Sequence, residues 1–476
     1  MKGGEGMAFA PEQLKNAPCC KADSPLRLPE RVCDVFLALM ATAFLLYFDA
    51  NGYTAITAAK RNALYVLSGG FFAAMAFALV FVLRRSEGRA ALKQRIKACS
   101  VVFWALSVYL LLTLISTLAS PHLQAVWFGA SRNEGFVTHA IYVLIFALLA
   151  LFAKPKPWLL YVFGCGLLLL FAVSLAQLLG ANPFRLYPKG YSFFNTDPHF
   201  LGTVGNVGFL GGLLCVAIPV LAVAVLRGTS RWRFLLQLPL ICCLVLTVCI
   251  SVLAAYVGLF VGGLIALPFV LRFSRRWTKR YCFALVAAVA AALVILWLAD
   301  IGSGLSHELH ELLHGHFDDR FGTGRLYIWR QVLARVPQRF WLGYGPDTMR
   351  LEQLEPFSRY DEVKAKMVYA SIDAAHNEYL NILFHQGAPA LAAYLTALAG
   401  AWTHVFRRAK RSIGAAMFGT AVLCYSVQAL FGISQPLTAP YVWIALGLLE
   451  ACVADAQKTS ENAALSKKSR EAENFA

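Results

Sequence analysis

Charge is scarce in this chain. Of its 476 residues only 14% are Asp, Glu, Lys or Arg, against 59% hydrophobic. A water-soluble domain has too little interior to hide that apolar fraction, so soluble globular classes are excluded and a polytopic membrane protein is expected. Acidic residues are the scarcer sign, 26 against 43 basic, for a net charge of +17. The basic residues sit in short clusters between apolar runs. That distribution follows membrane topology rather than a nucleic-acid-binding face, and no nucleic-acid partner is expected. Metal-type cysteine pairs are also lacking, since none of the 12 cysteines forms a CxxC motif. Cys19, Cys20 and Cys33 lie in or near the N-terminal tail, and the others in or beside apolar runs, as small apolar residues do. An early apolar segment of the secretory-signal type is missing too, because about thirty polar residues precede the first apolar run.

What the chain does have is apolar runs. Twelve approach the ~20 residues needed to cross a bilayer: 32–50, 63–83, 98–118, 135–153, 158–180, 201–226, 234–250, 254–271, 281–299, 376–404, 414–432 and 438–454. The seventh and eighth form one stretch, divided near Ser251 because it is too long for a single span. Alternate connections are rich in Lys and Arg, with six between Arg84 and Lys97, five between Arg272 and Arg280, and four between Arg407 and Arg411. The positive-inside rule then puts both termini in the cytoplasm. The expected fold is all-α, with about twelve transmembrane helices and one large extracytoplasmic loop. A cytoplasmic tail occupies 1–31, spans one to nine 32–299, the loop 300–375, spans ten to twelve 376–454, and a second cytoplasmic tail 455–476. The nine basic residues of the loop do not disturb this orientation, since long translocated segments escape the charge rule.

The loop carries the chemistry-bearing residues. Between 320 and 346 there are five arginines and no acidic residue. Leu326, Trp329, Val332, Leu333, Val336 and Phe340 recur at helical spacing. Arg325 falls on that apolar stripe, so an anionic partner is expected for it. A guanidinium grips phosphate in two places, and the competing reading is a structural ion pair. Arg330 and Arg335 fall on the other side, which reads as a solvated or headgroup-facing surface. Asp373 is read as a helix N-cap, which puts His376 at the third helical position, where the helix dipole disfavours imidazolium. A neutral imidazole there can act as general base, with Asn377 and Glu378 near enough to orient it or a hydroxyl. The alternative is a histidine hydrogen-bonded at a membrane interface. Gly387 and Pro389 predict a kink in the following span. His307, His310, His314 and His316 match no zinc spacing and lie among Leu309, Leu312 and Leu313. A surface-lying amphipathic helix is expected there and no metal, the competing reading being a divalent metal on the helical face shared by His307, Glu311 and His314. Four outer stretches can meet the loop: Pro121–Glu134, Asn182–Phe200, the glycine series Gly202 to Gly212, and the turn near Ser251.

These residues resemble the O-antigen ligase and O-antigen polymerase superfamily of bacterial membrane glycosyltransferases, which includes pilin-type oligosaccharyltransferases. The likeness rests on Gly324-Arg325 followed by Trp329, on Gly343-Tyr344-Gly345, on Ala375-His376-Asn377 with Gly387 beyond, and on the last span with Pro440 and Trp443. Arg132-Asn133-Glu134-Gly135 and Gly202 to Asn206 look like further family features. The resemblance implies a fold similar to GT-C glycosyltransferases, a donor glycan on undecaprenyl pyrophosphate, and attack by an acceptor hydroxyl on the anomeric carbon. It implies no cofactor. Arg325 and His376 would be the catalytic pair, with Arg132, Asn206, Arg330 and Asn377 as substrate-binding residues. The acceptor would be a glycan, a lipid or a protein, and the setting the bilayer of a bacterial cytoplasmic membrane.

One departure stands out. The family usually carries a Ser-Arg-Gly-like turn between two middle spans, whereas the turn here reads Ser251-Val252-Leu253-Ala254-Ala255-Tyr256. Substitution by Arg132, a different donor geometry and reduced activity all remain open. Two other readings stay beside the enzyme, namely a transporter or flippase of a lipid-linked solute and a non-catalytic relative in envelope assembly. The lack of repeated halves and the near-absence of mid-span charge disfavour the transporter. The orientation is testable with cysteines placed at Ser358 and Ser412 in a background cleared of native cysteines. An impermeant thiol reagent should label 358 in intact cells and reach 412 only after permeabilisation, and the reverse pattern would invert the topology.

Overall fold

A computed structural model describes residues 25–455 apart from 197, 303 and 362–365. The tail assignments at 1–24 and 456–476, with Cys19 and Cys20, lie outside the described residues. The chain is mostly helical. In order the helices are α1 (Arg27–Leu39), α2 (Ile56–Arg84), α3 (Ser86–Lys97), α4 (Val101–Leu118), α5 (Phe136–Phe152), α6 (Pro157–Leu178), α7 (Val207–Arg227), α8 (Gln237–Ile250), α9 (Leu253–Val270), α10 (Arg275–Leu298), α11 (Leu305–Leu313), α12 (Phe321–Arg335), α13 (Glu378–Gln386), α14 (Ala388–Arg408), α15 (Ile413–Gln428) and α16 (439–455). Two short antiparallel hairpins complete it: β1 (Phe200–Leu201) with β2 (Gly205–Asn206), and β3 (Phe357–Asp361) with β4 (Lys366–Ala370).

Among the described residues eight helices are long and apolar enough to cross a membrane, with bounds 56–84, 101–118, 157–178, 207–227, 231–250, 253–270, 275–298 and 413–431. The other four runs of the twelve are helical but shorter, broken or less apolar. Run 32–50 is interrupted by a π-helical turn at Met40–Phe44. Run 135–153 yields the 17-residue α5. Run 376–404 is split by Gly387 into α13 and α14. Run 438–454 corresponds to α16, which is almost wholly buried. The division near Ser251 is where α8 ends, with Ser251 in a left-handed conformation at φ 48°.

Local chemistry explains the interruptions. Lys60 on α2 is fully buried and donates to the carbonyls of Phe44 (2.6 Å) and Leu45 (2.9 Å), satisfying acceptors left over where the first helix stops. Ser100, Asn206 and Ser412 cap α4, α7 and α15 with side-chain oxygens. Helices α7 and α15 are apolar all round and form the centre of the bundle. By contrast α10 buries none of its residues.

The polar segment after α10 is anchored at its far end by a backbone seam. Tyr344 N–H donates to Phe384 C=O (3.0 Å), Gly345 N–H to His385 C=O (2.8 Å) and Ala388 N–H to Phe340 C=O (2.9 Å). The Tyr344 and Phe384 rings stack at 4.7 Å. Gly343 has φ 66° and a Cβ there would lie 2.3 Å from the His385 carbonyl oxygen. Gly387 has φ 84° and its Cβ would lie 2.3 Å from the Trp341 carbonyl oxygen. Only glycine allows both the dihedrals and the approach. Gly343→Ala and Gly387→Ala should each lower stability by at least about 1–3 kcal/mol in thermal unfolding of purified protein. Gly69→Ala and Gly263→Ala are the controls, since a Cβ at either meets nothing within 4 Å, and should be neutral or mildly stabilising.

Candidate functional site

The site is assembled around the carboxylate of Asp347. It accepts from Ser131 N–H (3.1 Å), Ser131 Oγ–H (2.9 Å), Arg132 N–H (2.7 Å) and Glu134 N–H (3.4 Å). The polar segment thereby folds the α4–α5 connection into a tight turn. Gly129 is required in that turn, because a Cβ would sit 2.3 Å from Asp347 Oδ2. Further ties run from His122 to Glu352 (2.7 Å) and from Arg339 to the Ala119 carbonyl (2.5 Å). Of the four outer stretches, 121–134 is therefore the one bonded to the polar segment. The 182–200 stretch contributes Leu186 and Tyr187 to a separate cluster with Tyr53, Ile56 and Leu437.

The turn aims Arg132 at Asp373, with Nη2 to Oδ1 at 2.7 Å, while its Nε is buried without a partner. Asp373 is an ion-pair partner and not the N-cap expected for α13. Asn377 takes that place, accepting from the Tyr379 N–H (3.0 Å) and Leu380 N–H (3.1 Å). Its side-chain oxygen serves the helix. His376 accordingly precedes the helix instead of occupying its third position, and it has φ 48°. Neighbours clamp this unusual backbone. Trp329 Nε1–H donates to the Ala375 carbonyl (2.9 Å), and Ala375 N–H donates to Asn381 Oδ1 (2.7 Å).

Arg325 approaches from α12. The start of that helix is left-handed at Gly322, Thr323 and Gly324, with φ of 62°, 59° and 85°. The Arg325 guanidinium donates to the Gly322 carbonyl (2.9 Å) and Thr323 Oγ1 (3.1 Å), and its Nε is buried without a partner. No carboxylate pairs with it among the described residues. Burial lowers its pKa. The half-buried His376 has its pKa lowered to about 4, first by burial and then by the Arg132 and Arg325 charges, with Asp373 opposing. Its imidazole makes no hydrogen bond among the described residues. The neutral imidazole is thus set by burial and two cations, not by a helix dipole.

The Arg132–Asp373 pair lines a cavity of about 40 Å³ together with Glu134, His139, Glu378, His385 and Gln386 among others. Glu134 accepts from Tyr142 (2.7 Å) and Ser434 (3.1 Å), and burial, aided by the Asp347 charge, pushes its pKa up to about 8 against those bonds. Glu378 accepts from Tyr394 (2.6 Å) and Tyr425 (2.9 Å).

The structure therefore brings together Arg132, Arg325 and His376, with Asn377 as the adjoining cap. Arg330 is exposed and paired with Asp319, and Asn206 caps α7 through Gly208 N–H (2.8 Å). Asp347, Asn381 and the Asp373 ion pair were not assigned these roles by sequence reasoning. The sign available for Asp347 is its place after Gly345-Pro346, a turn dipeptide. Of the four histidines, His307 sits on Asp300 (2.8 Å) and His316 on Glu311 (2.9 Å), while the His310 and His314 rings pack at 4.3 Å.

Residues 238–395 match the family model described as O-antigen ligase. The match spans α8 to the first turns of α14, covering Arg325, Arg330, His376 and Asn377 and leaving Arg132 and Asn206 outside. No curated protein matches the chain.

The two aspartates should differ in weight. Asp347→Ala leaves three backbone N–H groups without their acceptor, at about 1–3 kcal/mol for each buried group. Asp373→Ala breaks a partly exposed pair and should cost about 1 kcal/mol or less. Thermal unfolding of both variants checks this, and equal small losses would remove Asp347 from its organising role.

Proposed function

We propose, on the premise that this chain belongs to the O-antigen ligase superfamily, that it transfers a glycan from an undecaprenyl-pyrophosphate carrier to an acceptor hydroxyl at the outer face of a bacterial cytoplasmic membrane. The carrying observation is the pair of guanidiniums, each with a buried Nε that has no partner among the described residues, beside a neutral imidazole that makes no hydrogen bond among them. In this reading the donor pyrophosphate meets Arg325 and Arg132, and the acceptor hydroxyl meets His376. The hydroxyl oxygen bonds to the anomeric carbon, the bond from that carbon to the pyrophosphate oxygen breaks, and the hydroxyl proton passes to His376. Charge gathers on the departing diphosphate, where fixed arginines in a poorly hydrated cleft are most effective. Arg132 takes the part of the arginine missing from the Ser251 turn. The acceptor is a glycan, a lipid or a protein.

A base with pKa near 4 is weak at neutral pH. Bound pyrophosphate would offset the two arginine charges that help to lower it, so donor binding itself would raise the basicity of His376. The sign follows directly. Below its pKa His376 is protonated and cannot accept, so each acid limb reports that pKa, in free enzyme for kcat/KM and in the complex for kcat. The acid limb of kcat should lie at higher pH than that of kcat/KM for the donor. Coincident limbs would show that the donor does not adjoin His376.

The two residues should also separate by step. Arg325→Lys keeps the charge but loses the fork, so both donor affinity and transfer should fall. His376→Ala should retain donor affinity within a few fold and lose about 10²–10⁴ in transfer rate. Donor binding and transfer measured at equal folded amounts test this. Near-normal transfer by His376→Ala would remove the imidazole from the reaction.

A further inference from the structure

A second cavity lies at the other end of the bundle. Helix α5 starts beside Glu134 at the cleft and ends beside Lys154, and its 17 residues put the two ends about 25 Å apart. At the Lys154 end, α1, α6, α7, α15 and α16 line an open pocket of about 1000 Å³. Its walls are apolar, with Met40, Leu160, Val220, Phe418, Ile444 and Leu448 among them. Its mouth is polar and cationic, formed by Lys154, Lys156, Ser230, Arg233, Arg411 and Ser412.

The charges at the mouth do not cancel. Lys154 is paired with Glu30 (2.6 Å) and Lys156 with Asp34. Asp455, also at the mouth, is held by Arg95 (2.8 Å). Arg233 is exposed and bonded only to carbonyls, the nearer being Gly228 at 2.8 Å. The exposed Arg411 side chain has no hydrogen bond or ion pair among the described residues. Among the described residues two positive charges are left over, those of Arg233 and Arg411. The first turns of α6 and α15 also open here, at Pro157 and Ile413, and their dipoles add to the same sign.

The pocket opens to its surroundings, and its apolar walls do not hold ordered water. Acyl chains satisfy the walls but leave the two arginines unmatched. A free anion matches the arginines but leaves the walls empty. We infer that this pocket binds a membrane glycerophospholipid with an anionic headgroup, its chains between α6 and α16 and its phosphodiester at Arg233 and Arg411. The site is separate from the cleft and does not depend on the reaction proposed for it.

The test uses full-length protein purified in mild detergent and offered phosphatidylglycerol or phosphatidylcholine of the same chain composition, with retained lipid read by native mass spectrometry. The wild-type protein should retain phosphatidylglycerol with a preference on the order of tenfold. Arg233→Gln combined with Arg411→Gln should bring the two lipids near parity. Ala445→Phe, which fills the pocket, should reduce retention of both. His376→Ala should leave lipid retention unchanged, which keeps this outcome apart from that of the transfer reaction. Equal retention of the two lipids by wild-type protein, or an undiminished preference in the double arginine variant, would overturn the proposal. The arginine pair is exposed, so that comparison stands even where Ala445→Phe does not accumulate.

Discussion

A single buried carboxylate sets the register between two distant parts of this chain. Asp347 and the turn it organises are more than two hundred residues apart in sequence, 215 in the case of Arg132. Burial raises the Asp347 pKa, and the donors of Ser131, Arg132 and Glu134 counteract that rise. Hydrogen bonds to an ionised acceptor are worth more than neutral ones, and more again where water is scarce. With the turn fixed, the direction of Arg132 is fixed, and with it the meeting with Asp373. The cleft is therefore a property of the contact between the polar segment and the α4–α5 connection, and neither part contains it alone.

The electrostatics of the cleft run against ordinary stability. Two guanidiniums with buried unpartnered nitrogens, and an imidazole on a left-handed backbone, are arrangements that a fold tolerates only where surrounding contacts over-determine them. Those contacts are present. Trp329, Asn381 and the Asn377 cap fix the backbone on both sides of His376, and the seam from Phe340 to Ala388 holds the segment beneath it. Preorganised cations cost stability in the empty protein and need no rearrangement when a negative charge appears.

Much of this could be read from the residue order. Apolar length and scarce charge revealed a helical membrane protein, and the apolar stripe through Trp329 and Val332 singled out Arg325. Patterns of that kind rest on local periodicity, which survives without tertiary information. Gly387 and Pro389 marked the break between α13 and α14, whereas the apolar runs carried no sign of the π turn at Met40–Phe44 or of the buried Lys60 that serves its carbonyls. The capping residue before α13 was also mistaken. Asp373 and Asn377 are both good caps by type, and only the presence of Arg132 across the cleft draws Asp373 away. Asp347 has no local signal of its burial, since its partners come from a different region of the chain.

The support for the polar segment is uneven. Its far end is stitched to the core by the Tyr344–Phe384 seam, whereas its near end hangs from α10 and α11, neither of which has a fully buried residue. The near end is tied to the site by the bond from Gly322 N–H to the Glu308 carboxylate of α11 (3.0 Å), three residues before Arg325. The position of Arg325 is thus set from the loosely packed end of the segment, and those of Arg132 and His376 from the stitched end.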